Sequence, residues 1–161
     1  MKPNFEKLEA VAASQCGYFT AKQAKQCGFS GKLHFYHFSV GNWLKIENGL
    51  FRLPGYVDLP EADFTRWYLW SRNQQDQPLG VVSHESALAM HGWGKHDPQR
   101  VHLTVPANFR KKAAPGCVLH KATLSLSTIE SHGKFMLTRL EQTLSDMRPG
   151  LELSGEWEKV N

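Results

Sequence analysis

Ser30, Gly31, Lys32 and His34 stand together in one short segment, with Thr20 ahead of them and Lys45, Asn48 and Arg52 soon after. Hydroxyls and open backbone amides bond phosphate oxygens. Lysine and arginine pair with phosphate or with guanine, and asparagine reaches adenine. Imidazole joins in according to its charge. This is the chemistry of nucleic-acid contact. If His34 faces DNA, binding strengthens below roughly pH 6.5. Arg110, Lys111 and Lys112 form a second basic group, read either as a solvated hairpin tip or as another nucleic-acid contact. The histidines of the second half suggest other chemistry. His84, Glu85 and His91 are candidate ligands or a general acid–base pair. However, His84 and His91 are seven apart, which is not the spacing of a zinc metalloprotease helix. Ser83 is explained as a helix cap with Ser86 three positions on. His102 and His120 fall on expected strands, where an imidazole more commonly bonds a backbone carbonyl. There is no phosphate-binding glycine loop, nucleophile elbow or paired-carboxylate nuclease spacing. The expectation is no catalytic residue, no metal and no cofactor.

The elements that must position these residues follow from caps and periodicity. Asn4 caps a first helix with Phe5, Leu8, Val11 and Ala12 on one face. Thr20 caps a second over Ala21–Cys27, ended by Gly28. Ser30 caps a third that runs to about Val40. This third helix is aromatic nearly all round, and two faces compete for the core: Leu33, Tyr36, His37 and Val40, or His34, Phe35 and Phe38. Leu44–Glu47 and Leu50–Leu53 flank Asn48-Gly49, a strong hairpin signal. Together these predict a winged helix-turn-helix. Pro54-Gly55 and Leu59-Pro60 mark the boundary. Beyond it the pattern predicts a helix from Glu61 to about Arg72 carrying Phe64, Trp67, Tyr68 and Trp70. Trp67 and Trp70 read as core or interface residues. A helix over Glu85–His91, strands at Val101–Val105 and Cys117–His120, and a helix over Thr138–Met147 follow. The fold class is α+β: a winged helix over 1–56, then a small mixed α/β domain over 57–161.

Composition agrees with this. The 161 residues carry a net charge of +4. Residues 1–57 hold seven Lys/Arg against three Glu, and residues 58–161 hold twelve of each sign. All the excess positive charge therefore lies in the first half, the sign that phosphate neutralisation requires. No apolar run approaches the roughly 20 residues of a membrane helix. Cys16, Cys27 and Cys117 are odd in number and widely spaced, giving no disulfide framework or zinc pattern and suiting the cytoplasm.

With these residues in view, the chain resembles the AbiEi family, antitoxins of type IV toxin–antitoxin systems linked to abortive phage infection. Gly49-Leu50-Phe51-Arg52-Leu53-Pro54-Gly55 is similar to the family's wing. Tyr36-His37-Phe38 and Gly41 look like the end of its third helix. Ser83 to Gly92 is the most specific match, and Arg100 to Pro106 and Val118 to Ala122 follow in the family's order. The third helix departs from the family in having Lys32 as its only fixed cation. The late motif has Arg139 and Gln142 before Thr143-Leu144-Ser145-Asp146.

The resemblance implies an autorepressor that binds its own promoter through the winged helix. It also implies a second domain that opposes a nucleotidyltransferase-like toxin, with no stable complex required. Arg110, Lys111 and Lys112 then become a candidate toxin or RNA contact. A single DNA-binding module buries only about 600–1,000 Å². An inverted repeat bound by two copies, from a monomer or weak homodimer, is the expectation. The alternatives are a nuclease-like enzyme delivered to DNA and a winged helix used for protein contacts.

Overall fold

The computed structural model describes residues 3–154; Met1, Lys2 and the end of the expected second unit, 155–161, lie outside them. The chain begins with α1 (Pro3–Ala13), β1 (Tyr18–Thr20), α2 (Ala21–Gln26), α3 (Gly31–Ser39), β2 (Leu44–Glu47) and β3 (Leu50–Arg52). The strands form an antiparallel sheet in the order β1-β3-β2. Strand β1 was legible only as a lead into the Thr20 cap. Leu8 and Ala12 of α1 are fully buried, with Phe5 and Val11 beside them, so the expected apolar face is the one that packs. Gly17 takes φ +91°, and a Cβ there would stand 2.5 Å from the Tyr56 ring. Thr20 forms a reciprocal cap with Gln23: its hydroxyl accepts from the Gln23 amide at 3.1 Å, and Gln23 Oε1 accepts from the Thr20 amide at 2.9 Å. Gly49 alone supplies the positive φ of the β2–β3 turn, and the register slips by one residue between Lys45 and Glu47.

The second half contains α4 (Pro60–Trp70), β4 (Val81–Val82), α5 (His84–Met90), β5 (Val101–Val105), β6 (Cys117–Lys121), β7 (Ile129–Ser131), β8 (Met136–Thr138) and α6 (Leu140–Ser154). Its sheet runs β6-β5-β4-β8-β7 and is mixed. β5 and β6 are parallel, with Val101 opposite Cys117. The expected hairpin between them is therefore a crossover. Residues 106–116 return the chain to the starting end of β5, and Phe109 anchors that return in the core. Val101, Leu103 and Val105 pack against Phe64, Trp67 and Trp70 of α4. His102 and Thr104 alternate with them, so they face the other way.

Helix α4 belongs to both halves. Ala62 and Leu69 pack with Tyr18 and Leu50 of the first sheet. Further links cross the same seam. The Thr20 hydroxyl donates to Asp76 at 2.6 Å, Arg72 donates to the Asn48 carbonyl at 3.2 Å, and Cys16 Sγ lies 3.7 Å from the Thr65 hydroxyl. Among the described residues no helix is long and apolar enough to cross a membrane.

Arg52, expected on the DNA side of the wing, points inward. It is 7% exposed. Its Nε donates to the Cys16 carbonyl at 3.0 Å, one terminal nitrogen to the Val57 carbonyl at 3.2 Å and the other to the Asp58 carboxylate. The guanidinium also covers the Tyr18 ring at 4.5 Å. Removing it leaves the Cys16 carbonyl without a donor and Asp58 without its cation, while the Val57 carbonyl keeps the Leu59 amide at 3.2 Å. Arg52→Ala is expected to cost about 2–4 kcal/mol, read as a lower urea midpoint. A midpoint unchanged from the parent protein contradicts this role.

Candidate nucleic-acid interface

Helices α2 and α3 are joined by a short turn that Gly28, at φ +99°, makes possible. Phe29 folds under the turn into the core. One side chain then decides the rotation of α3. His34 is 6% exposed and donates from Nε2 to the Phe29 carbonyl at 2.7 Å. Its ring packs on Trp43 at 5.5 Å and on Phe51 at 5.9 Å. His37 and Phe38 are half-buried beside it. The inward face is thus His34, His37 and Phe38, closer to the second of the two faces the sequence allowed.

This placement sorts the expected contact residues. Ser30, Gly31, Lys32, Lys45 and Asn48 are exposed. Ser30 is the helix cap residue but makes no side-chain cap bond, so its hydroxyl is free for a ligand. Thr20, His34 and Arg52 are buried and bonded within the protein. The expected pH response through a DNA-facing His34 does not hold, because that ring faces Trp43 and Phe51. In its place α3 presents Phe35 and Tyr36, 65% and 56% exposed, beside Lys32. Lys22 and Lys25 of α2 are also exposed. The sequence signal for this surface is the lack of any Asp or Glu from residue 10 to residue 46.

The second basic group is drawn toward the same region. The Lys111 ammonium donates to the Trp70 carbonyl at 2.5 Å and lies 5.5 Å from the Trp70 ring. Burial first, then the Arg72 charge, lowers its pKa from the usual lysine value. Arg110 and Lys112 remain exposed. Arg72, Asn73, Phe109, Arg110 and Lys111 line a cleft of about 560 Å³. Arg72 also holds the Asn48 carbonyl of the β2–β3 turn. The fold thus brings the β2–β3 turn and the 106–116 crossover together, although they are distant in sequence.

The second-half histidines are arranged differently from expectation. His91 bonds a carbonyl, that of Thr138, at 2.8 Å. His102 and His120 do not. His102 Nε2 is 2.7 Å from Glu85 Oε2, and its Nδ1 is 2.9 Å from His120 Nε2. His84 stacks on His120 with centroids 3.5 Å apart. Ser83 makes no cap bond; its hydroxyl meets His84 Nδ1 at 2.8 Å instead. Among the described residues no group of three or more His, Cys, Asp or Glu could hold a metal ion.

Burial, and then the neighbouring His84 and His102, pushes the His120 pKa down to about 4. Burial likewise lowers His84. Between the unfolded value near 6.5 and the folded value, the unfolded chain binds a proton that the folded chain refuses. Stability is therefore fully present above about pH 6.5 and is lost as the pH falls toward 4. The urea midpoint should drop across this window and drop less in His120→Gln. Equal slopes in both proteins contradict the assignment.

Compared with known proteins, the chain matches no family model and no curated protein.

Proposed function

We propose that the chain is a DNA-binding autorepressor and antitoxin of the type IV kind, whose first half is a winged helix. The observation that carries the reading is the element order α1-β1-α2-α3-β2-β3, with the sheet ordered β1-β3-β2 and α3 left uncovered beside exposed Lys32. In a winged helix the third helix enters the major groove and the hairpin rests on the backbone. Ser30, Gly31 and Lys32 stand at the leading end of α3. Lys45 and Asn48 lie on the hairpin, and Arg110, Lys111 and Lys112 extend the basic surface beyond its tip. The absence of acid from residues 10–46 supports the same partner, since no carboxylate on that stretch repels phosphate. The antitoxin role, opposing a nucleotidyltransferase-like toxin, rests on the ordered AbiEi-like motifs. DNA recognition by this surface calls for no cofactor and no catalysis.

The test is binding of the full chain to its own upstream duplex and to a shuffled duplex across a salt series. Lys32→Ala and Lys45→Ala should each weaken binding and reduce the salt slope by about one. Lys32 is exposed, so its variant should keep the unfolding midpoint; Lys45 also covers the Phe38 ring at 5.1 Å, so its variant should lower the midpoint slightly. Equal weak binding to both duplexes, or variants that bind like the parent, overturns the reading. Co-expression with the neighbouring toxin, scored as growth, tests the antitoxin role separately.

A further inference from the structure

The second half contains a polar constellation that DNA binding does not use. Thr104, on the sheet face turned away from α4, donates to the Ser83 hydroxyl at 2.7 Å. Ser83 in turn can donate to His84 Nδ1, which leaves His84 protonated at Nε2. On the other side, Glu85 accepts from His102 Nε2, so His102 Nδ1 carries a lone pair and accepts from His120 Nε2. His120 Nδ1 is then an open lone pair. Two neighbouring rings thus present complementary atoms, an N–H on His84 and a base on His120. Among the described residues neither atom has a protein partner. Both rings line a cavity of about 500 Å³ with Thr104, Lys121, Ser125 and Asp146. His84 is held at φ 52°, a left-handed conformation strained for a non-glycine residue. His102 is 4% exposed and links the cavity side to Glu85 on the surface.

We propose that His120 and His84 form a hydrolytic acid–base site for small carboxylic esters, with His102 and Glu85 as positioning residues. This goes beyond the DNA-binding reading and, for the second half, replaces the expectation of no catalysis. The cavity wall has one cation, Lys121, and one anion, Asp146. A multiply charged phosphate finds no matching field there, whereas a neutral or singly charged ester does. In the first step a water proton passes to His120 Nδ1, while His120 Nε2–H stays bonded to His102 and the Glu85 carboxylate, still ionised, holds the His102 ring in place. The water oxygen forms a bond to the ester carbon, and the carbonyl electron pair moves onto oxygen, where His84 Nε2–H meets it. On collapse the carbon–alkoxy bond breaks, and the alkoxide leaves with a proton returned through His120. Acid, alcohol and the starting protein result. The charged and titratable groups around His120 are His84 and Glu85 of α5, His102 of β5, Lys121 of β6 and Asp146 of α6.

The probe is p-nitrophenyl acetate with the full chain, followed at the isosbestic wavelength from pH 8 to pH 4. The rate should stay level down to about pH 5 and fall below it, because the base remains neutral far below the usual imidazole range. His120→Gln should lose about 100-fold, the contribution of a positioned base. Glu85→Gln keeps an acceptor for His102 and removes the charge. It should lower the rate and move the fall to lower pH, an effect that a merely structural role would not produce. His132→Gln, an exposed ring elsewhere, should match the parent. A parent rate no greater than that of His120→Gln, or a fall centred near pH 6.5, overturns the proposal. Should His120→Gln fail to fold, diethyl pyrocarbonate labelling of the parent at pH 5 decides. His120 labelled ahead of His132 supports the site, and the reverse order rejects it. DNA binding by these variants should be unchanged, so the two readings fail independently.

Discussion

Helix α4 is buried on two sides, and the rest of the molecule is arranged around that constraint. Phe64, Trp67 and Trp70 fill the core of the five-stranded sheet, while Ala62 and Leu69 close the three-stranded one. Each large side chain taken from water contributes about 1.5–3 kcal/mol. A helix that buries both stripes cannot leave one sheet without exposing the other stripe. The two halves are therefore coupled through one element of secondary structure. Thr20–Asp76 and Arg72–Asn48 then fix the angle between the β2–β3 turn and the second sheet.

That coupling shapes both surfaces argued for function. Because α4 covers one face of β5, the other face must pack under α5, and it carries His102 and Thr104. Their polar atoms are out of water and must find partners. Glu85, His120 and Ser83 supply them. The same seam places Arg72 between the β2–β3 turn, whose Asn48 carbonyl it holds, and the basic crossover, whose Arg110 and Lys111 share a cleft with it. The parallel pairing of β5 and β6 matters here as well. An antiparallel hairpin would leave Arg110, Lys111 and Lys112 at its tip. The crossover instead carries them back past Trp70, whose carbonyl holds Lys111.

The proposed DNA-reading helix shows how a buried polar side chain can set a surface. His34 has one hydrogen bond to satisfy and two aromatic rings to lie against, and it meets both needs only when turned inward. Phe35 and Tyr36 are then forced outward next to Lys32. The outer face of α3 is consequently aromatic with a single cation, so charge for phosphate contact must come from α2, the hairpin and the crossover.

The sequence by itself determined the local structure. The cap at Thr20, the glycines at 28 and 49, the face of α1 and the apolar spacing of α4 each act within a few residues, so their signals are complete in a short window. It also determined where positive charge collects. Only the tertiary structure decided which side of α3 faces in, that Arg52 and Thr20 are consumed inside the protein, and that β5 and β6 run parallel. Those outcomes depend on partners far along the chain: Trp43 and Phe51 for His34, Cys16 and Asp58 for Arg52, and α4 for the strand pairing. The histidine chain is the extreme case. His84, His102 and His120 are separated by whole elements, and no spacing rule relates them. They meet because His120 pairs opposite Thr104 on the polar face of the sheet and α5 starts directly above it.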